Sequence, residues 1–246
     1  MTGGIILAGG KGTRIQSTSV NKVALPFHGK PVIRYGVDLL KGITDPLVIV
    51  VGAYEESVKD ALRGYNVFFA KQIEQLGTGD AVKCALSLLP TTLKSVIVGY
   101  GDHMMFYKKK TMINLLRMHQ DMNPAITMIT TIIDKPKGYG RIVRNSEGYI
   151  EAIIEEKDAT EKQRMITEIN AGLYCFDYQF LVSTIDSLKM SPITKEYYLT
   201  DLIFMAIEKN KKVLGLKVDF NEVGIGINTS SELQSSQDLY SQFESK

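Results

Sequence analysis

Four short, continuous apolar runs punctuate the first hundred residues, and each gives way to a stretch with helical spacing. Ile5-Ile6-Leu7-Ala8 stops at Gly9-Gly10, and residues 46–52, 65–70 and 95–101 repeat the pattern. A run that is apolar at consecutive positions has no solvent face, so it suits a strand covered on both sides, as in a parallel sheet. Between these runs, residues 31–41, 55–63 and 79–89 predict helices, the last stopped by Pro90. The alternation predicts βαβ units and an α/β fold built on a doubly wound, mostly parallel, Rossmann-like sheet.

Beyond residue 122 the texture changes. Residues 109–122 predict a helix and 125–133 a β-branched strand. Residues 140–144 and 148–155 flank the turn Asn145-Ser146-Glu147 and predict a hairpin, followed by a strand over 168–176. Helices are expected near 178–188 and 197–210, short strands over 212–218 and 223–227, and a last helix from about Ser230. No repeat or linker interrupts the chain. The expectation is one domain over 1–246, with a doubly wound half (1–122) and a mixed half (123–246).

Composition excludes several classes. Hydrophobic residues make up 44% and charged residues 23%, which rules out a disordered or low-complexity chain. The net charge of +2 gives no basic stripe for a nucleic-acid partner, so any anion site must be built locally. Two cysteines, Cys84 and Cys175, are too few for a disulfide scaffold and are expected as buried thiols. No run approaches the roughly 18 apolar residues of a membrane helix, and the N-terminus lacks the basic start of a signal peptide. These features predict a cytoplasmic protein with no membrane partner.

The strongest local signal is Leu7-Ala8-Gly9-Gly10-Lys11-Gly12-Thr13-Arg14. It follows a buried strand, where a doubly wound sheet opens its ligand crevice, and its glycines let backbone N–H groups approach a phosphate. Arg14 adds a fixed fork of donors, and Lys22, in Asn21-Lys22-Val23-Ala24-Leu25-Pro26, adds a point charge. Two cations beside a polyphosphate neutralise the charge that builds as pyrophosphate leaves. The spacing is neither G-x-G-x-x-G nor Walker A. Further along, the Gln72 amide can pair with a pyrimidine edge. Gln75-Leu76-Gly77-Thr78-Gly79 is alternatively a plain helix start with Thr78 as its cap. Asp102 ends an apolar strand in Tyr100-Gly101-Asp102, where a hard cation bridging phosphates would need oxygen. Asn170, in an otherwise apolar strand, needs a partner that a ligand can supply.

The loop resembles the signature of the sugar-1-phosphate nucleotidyltransferases. The wider chain resembles the uridyltransferase domain of the bifunctional N-acetylglucosamine-1-phosphate uridyltransferase family, through QIEQLGTGDA (72–81), YGD (100–102), GYGRI (138–142), EEKDAT (155–160), EINAGLY (168–174) and EYYLTD (196–201). The resemblance implies that Leu7, Ala8, Gly9, Gly10, Lys22, Gln72, Gly77, Thr78, Tyr100 and Gly101 bind the nucleotide, and that Arg14 and Lys22 serve the chemistry. It assigns Gly140, Glu155 and Asn170 to the sugar, and Asp102 with Asn228 to Mg²⁺. The segment before Asn228 carries an extra Gly-Ile step relative to the usual pattern. His103 is given no role. His28 and His119 lack metal-ligand spacing, Lys108-Lys109-Lys110 is expected as a solvated helix edge, and no Ser–His or Cys–His pair points to a covalent nucleophile.

The implied activity joins UTP and N-acetylglucosamine 1-phosphate into UDP-N-acetylglucosamine and pyrophosphate. The partners are then small molecules, a nucleoside triphosphate and a sugar 1-phosphate, in a monomer or dimer. The alternatives are a related transferase for another sugar phosphate such as glucose 1-phosphate, or for another activated phosphate and nucleotide, and a non-catalytic nucleotide-sugar sensor. The resembled family continues into a left-handed β-helix. This sequence has no hexapeptide repeats, so no acetyltransferase domain or trimer is expected.

Overall fold

In this computed structural model, which describes residues 1–12, 19–134, 136, 139–154 and 159–244, the first apolar run forms β1 (Thr2–Ala8). Successive strand residues point to opposite faces. Ile5 joins the core on one side of the sheet and Ile6 the core on the other, both fully buried. A polar residue at either position would be stranded in one of the two cores, which accounts for the unbroken run.

A small antiparallel pair follows, β2 (Pro26–Phe27) and β3 (Lys30–Pro31). Then come α1 (Val32–Leu40), β4 (Leu47–Val51), α2 (Glu55–Ala61), β5 (Phe68–Lys71), α3 (Thr78–Leu86), β6 (Ser95–Tyr100) and α4 (Lys109–Met122). The second half contributes β7 (Ile126–Ile132), β8 (Arg141–Arg144), β9 (Ile150–Ile154), α5 (Glu161–Arg164), β10 (Glu168–Asp177), α6 (Tyr178–Thr184), α7 (Asp201–Glu208), β11 (Val213–Val218), α8 (Phe220–Val223) and α9 (Ser230–Glu244). The main sheet runs β11-β7-β10-β6-β1-β4-β5, with the β8–β9 hairpin attached through β10. The β6-β1-β4-β5 block and the β11–β7 pair are parallel, and β10 is antiparallel to both its neighbours. Buried residues of α3, α6 and α7 cover one face, and those of α1, α2 and α4 cover the other. This is the doubly wound, mostly parallel sheet that the sequence predicts.

Two expected elements differ. The helix predicted over 197–210 begins only at Asp201. Tyr197 is instead held against the start of α3 by backbone hydrogen bonds, and Leu199 by one to the Thr78 hydroxyl. The strand predicted over 223–227 does not form. Asp219 caps the single turn of α8, and Gly224 then turns the chain at φ +68°, where a Cβ would fall 2.1 Å from the Phe106 ring. Ile227 is fully buried and donates its N–H to the Asp102 carbonyl, 3.1 Å away. The Gly-Ile alternation thus serves close packing in a loop. A satellite core of Phe27, Val32, Tyr35, Phe106 and Ile227 receives Tyr240 of α9, whose ring lies 5.2 Å from Phe27 and 5.4 Å from Phe106. That contact anchors α9 beside the carboxyl ends of β1 and β6.

Candidate functional site

From β1 the chain winds outward through β4 and β5, then returns to place β6 on the other side of β1. Such a reversal leaves a crevice at the carboxyl ends of the two strands, because their following loops diverge. Leu7 pairs with Tyr100, and the Gly101 N–H donates to the Leu7 carbonyl at 3.0 Å. Leu7, Ala8, Gly9 and Gly10 therefore share the crevice with Tyr100, Gly101 and Asp102. Arg14 lies outside the described residues.

The glycine loop is held by a residue to which the sequence reading gave no role. Asn21 is 1% exposed. Its Nδ2 donates to the carbonyls of Ala8 (3.0 Å), Gly10 (3.1 Å) and Ala53 (2.9 Å), and its Oδ1 accepts from Val23 N–H at 3.1 Å. One amide thereby ties the loop after β1 to the loop after β4, and caps the short 3-10 helix that carries Lys22. The residue type was visible in the sequence, but nothing local marked it as buried.

Lys22 reaches across the crevice. Its Nζ donates to the Asp102 carboxylate and, at 3.1 Å, to Asn228 Oδ1. Asn228 precedes α9, where Thr229 and Glu232 form a capping box: Glu232 Oε2 accepts from the N–H groups of Asn228 and Thr229, each at 2.9 Å, and Glu232 N–H donates to Thr229 Oγ1 at 3.1 Å. Despite the extra Gly-Ile step, Asn228 faces Asp102 with one cation between them. Two oxygens converging on one positive charge form the donor set a hard divalent ion needs when substrate phosphates and water complete its shell. Among the described residues no cluster of three or more His, Cys, Asp or Glu exists, so a metal here would lean on those outside ligands.

Gln72 is almost fully buried after β5, and its Nε2 donates to the Gly77 carbonyl (3.0 Å) and to Asp80 Oδ2 (2.7 Å). The plain capping alternative for Thr78 does not hold. Gly77 is the N-cap and Thr78 is the first residue of α3, its hydroxyl accepting instead from Leu199 N–H at 3.0 Å. Gly77 adopts φ +100°, and a Cβ there would meet the Tyr197 carbonyl at 2.5 Å. Tyr197 N–H donates to Leu76 (2.7 Å), and Gly79 N–H donates to Tyr197 (2.8 Å). The QLGTG and EYYLTD segments, far apart in sequence, are one backbone-to-backbone joint.

On the remaining side, Gly140 accepts from Asn170 N–H at 3.3 Å, joining β10 to the start of β8. Asn170 is not left waiting for a ligand, contrary to the sequence argument. Its Nδ2 donates to the Tyr174 hydroxyl (2.8 Å) and its Oδ1 accepts from Gly172 N–H (3.0 Å). A bulge in β10 between Asn170 and Tyr174 makes this possible. The bulge presses Gly172 against the Tyr100 ring, so Tyr100 belongs to both sides of the crevice. Glu155 lies outside the described residues. His103 is half-buried beside Gly226, and desolvation holds its imidazole below the ordinary pKa against the pull of Asp102. Cys175 is buried as expected, whereas Cys84 is half-buried.

The sequence pattern of the nucleotidyl transferase family matches residues 3–224. The bifunctional protein GlmU of Clostridium perfringens is 40% identical over 230 residues, which is 93% of this chain and 50% of that protein. The GlmU of Caldicellulosiruptor saccharolyticus is 41% identical over 231 residues, with the same shares. The chain thus spans about half the length of the curated relatives it matches. A solved structure of a Bacillus anthracis protein, assigned as a glucose-1-phosphate thymidylyltransferase and in complex with a sucrose, superposes with a TM-score of 0.78 at 19% identity. That superposition covers 97% of this chain and 95% of the other, a likeness of fold. No helix among the described residues is long and apolar enough to cross a membrane.

Proposed function

The chain belongs to the nucleotidyl transferase family, and on that premise we propose that it joins UTP to N-acetylglucosamine 1-phosphate, giving UDP-N-acetylglucosamine and pyrophosphate. The observation that carries the reading is the meeting of Lys22, Asp102 and Asn228 beside the glycine loop, at the point where the strand order reverses. In the reaction, an oxygen of the sugar phosphate attacks the α-phosphorus of UTP in line and the bond to pyrophosphate breaks. The attacking group is already an anion, so no protein nucleophile or general base is required. Positioning and charge neutralisation remain as the enzyme's tasks.

In this reading the nucleotide lies along Leu7–Gly10, with its base toward Gln72, Gly77 and Thr78 and its phosphates toward Lys22 and Arg14. The sugar lies toward Gly140, Glu155 and Asn170, within one domain that divides near residue 122. Asp102 and Asn228 would hold Mg²⁺, which when bound supplies positive charge to the phosphate oxygens. Lys22 then turns its ammonium to the same phosphates, and Asn21 keeps the loop carbonyls from turning into the crevice.

The second reading, glucose 1-phosphate with a thymidine nucleotide, is favoured by the fold shared with the B. anthracis protein. Pyrophosphate release over a panel of five nucleoside triphosphates and several sugar 1-phosphates separates the two. The highest kcat/KM is expected with UTP and N-acetylglucosamine 1-phosphate. A higher value for another pair replaces the named substrates, and no release with any pair refutes transfer in favour of a binding role.

A further inference from the structure

We propose that Asp80 is a positioning residue that sets which nucleobase the crevice accepts, by holding the Gln72 amide with its oxygen outward. The proposal rests on the nucleotide site described above and extends it to a residue that site does not include. An amide side chain has a donor end and an acceptor end, and which of them faces a ligand depends on its other neighbours. Both inner neighbours of Gln72 are acceptors. The Gly77 carbonyl lies 3.0 Å and the Asp80 carboxylate 2.7 Å from Nε2. Turning the amide over would set Oε1 against a carbonyl and a negative charge, with both inner bonds lost.

Oε1 is therefore left to face the glycine loop. It lies 3.2 Å from the position a Cβ on Gly9 would take, and it accepts no hydrogen bond from a described residue. Asp80 is the third residue of α3, so its carboxylate reaches back over the helix start toward Gln72. A base seated against the loop meets an acceptor. Uracil and thymine offer a ring N3–H donor at their pairing edge. Cytosine offers a lone pair at the same atom, and two acceptors face to face are repelled. Selection of this kind comes from the wrong partner leaving polar groups unpaired.

The test is calorimetric titration of the whole chain with UTP and with CTP, without sugar phosphate, for the wild type, Asp80→Asn and Asp80→Leu. Neither variant keeps the negative charge, and Asp80→Asn preserves volume. A thermal melt checks that each is folded. The wild type is expected to bind UTP at least about tenfold more tightly than CTP, Asp80→Leu to reduce that ratio by about fivefold or more, and Asp80→Asn, whose Oδ1 can still accept from Nε2, to reduce it less. A merely structural role would weaken both nucleotides together and leave the ratio where it was. An unchanged ratio in the folded variants, or a wild type without preference, overturns the proposal. Pyrophosphate release keeps this result apart from the transferase reading. A base preference that Asp80 controls, without release from any substrate pair, refutes transfer and leaves the role of Asp80 standing. Release with an unchanged ratio does the reverse.

Discussion

Replacing Asn21 with Ala removes one side chain and four hydrogen bonds. Two of them, to the Ala8 carbonyl and from Val23 N–H, are buried, and the alanine leaves their partners unsatisfied. A buried bond contributes about 1 kcal/mol net, and a stranded partner costs about 1–3 kcal/mol, so a loss of about 3 kcal/mol is expected. For a chain of this length each kcal/mol moves Tm by about 2–4 °C, which places the drop at about 6–12 °C. Asn21→Asp keeps the shape but points a carboxylate at three carbonyls, and should cost more. Differential scanning calorimetry with urea titration measures the stability. Pyrophosphate release measures the effect on the loop, expected as a lower kcat/KM for the nucleotide. A Tm within about 2 °C of wild type would show that the amide does not bind the two loops together, and the account of the loop's rigidity would fail.

Gly77→Ala forces a side chain into φ +100° and against the Tyr197 carbonyl, so it should destabilise by at least about 2 kcal/mol and weaken nucleotide binding; a neutral urea midpoint would contradict the close joint between residues 77 and 197. Asp102→Ala and Lys22→Ala should each lower kcat by about 100-fold or more while melting stays cooperative, and wild-type turnover should cease in excess EDTA; full activity with the chelator would remove the divalent ion from the reading. Burial lowers the His119 pKa from 6.5 to about 4, against a weaker opposing pull from Asp177. The unfolded chain therefore binds this proton first: the stability contributed is complete above about pH 6.5 and is lost as pH falls through about 4, by up to about 3 kcal/mol. Urea midpoints between pH 7 and pH 4 should fall more steeply for wild type than for His119→Gln, and parallel profiles would refute this.

The strands of the first half were legible because a doubly covered strand leaves no polar alternation, and Leu47–Val51 is buried at every position for that reason. The helix over Lys109–Met122 falls where its spacing placed it. The strand expected over 223–227 did not form, and the partners of Thr78 and Asn170 were not legible, for one shared cause. The sequence shows that a threonine precedes a helix, that an asparagine interrupts an apolar strand, and that isoleucines alternate with glycines. It does not show that Leu199 arrives to use the threonine, that a bulge brings Tyr174 to the asparagine, or that Phe106 fills the space beside Gly224.

The sequence by itself determined the order of the first-half strands and helices, the buried faces, the glycine-rich segment after β1 and the chemical identity of Lys22, Asp102 and Asn228, because those depend on residue type and on neighbours a few positions away. Tertiary structure alone decided that Lys22 spans 80 residues to Asp102 and 206 to Asn228, that Asn21 joins two loops, and which way the Gln72 amide faces. Hydrogen-bond direction depends on every acceptor within about 3 Å of a donor, and those acceptors come from strands and loops that only the folded sheet brings together.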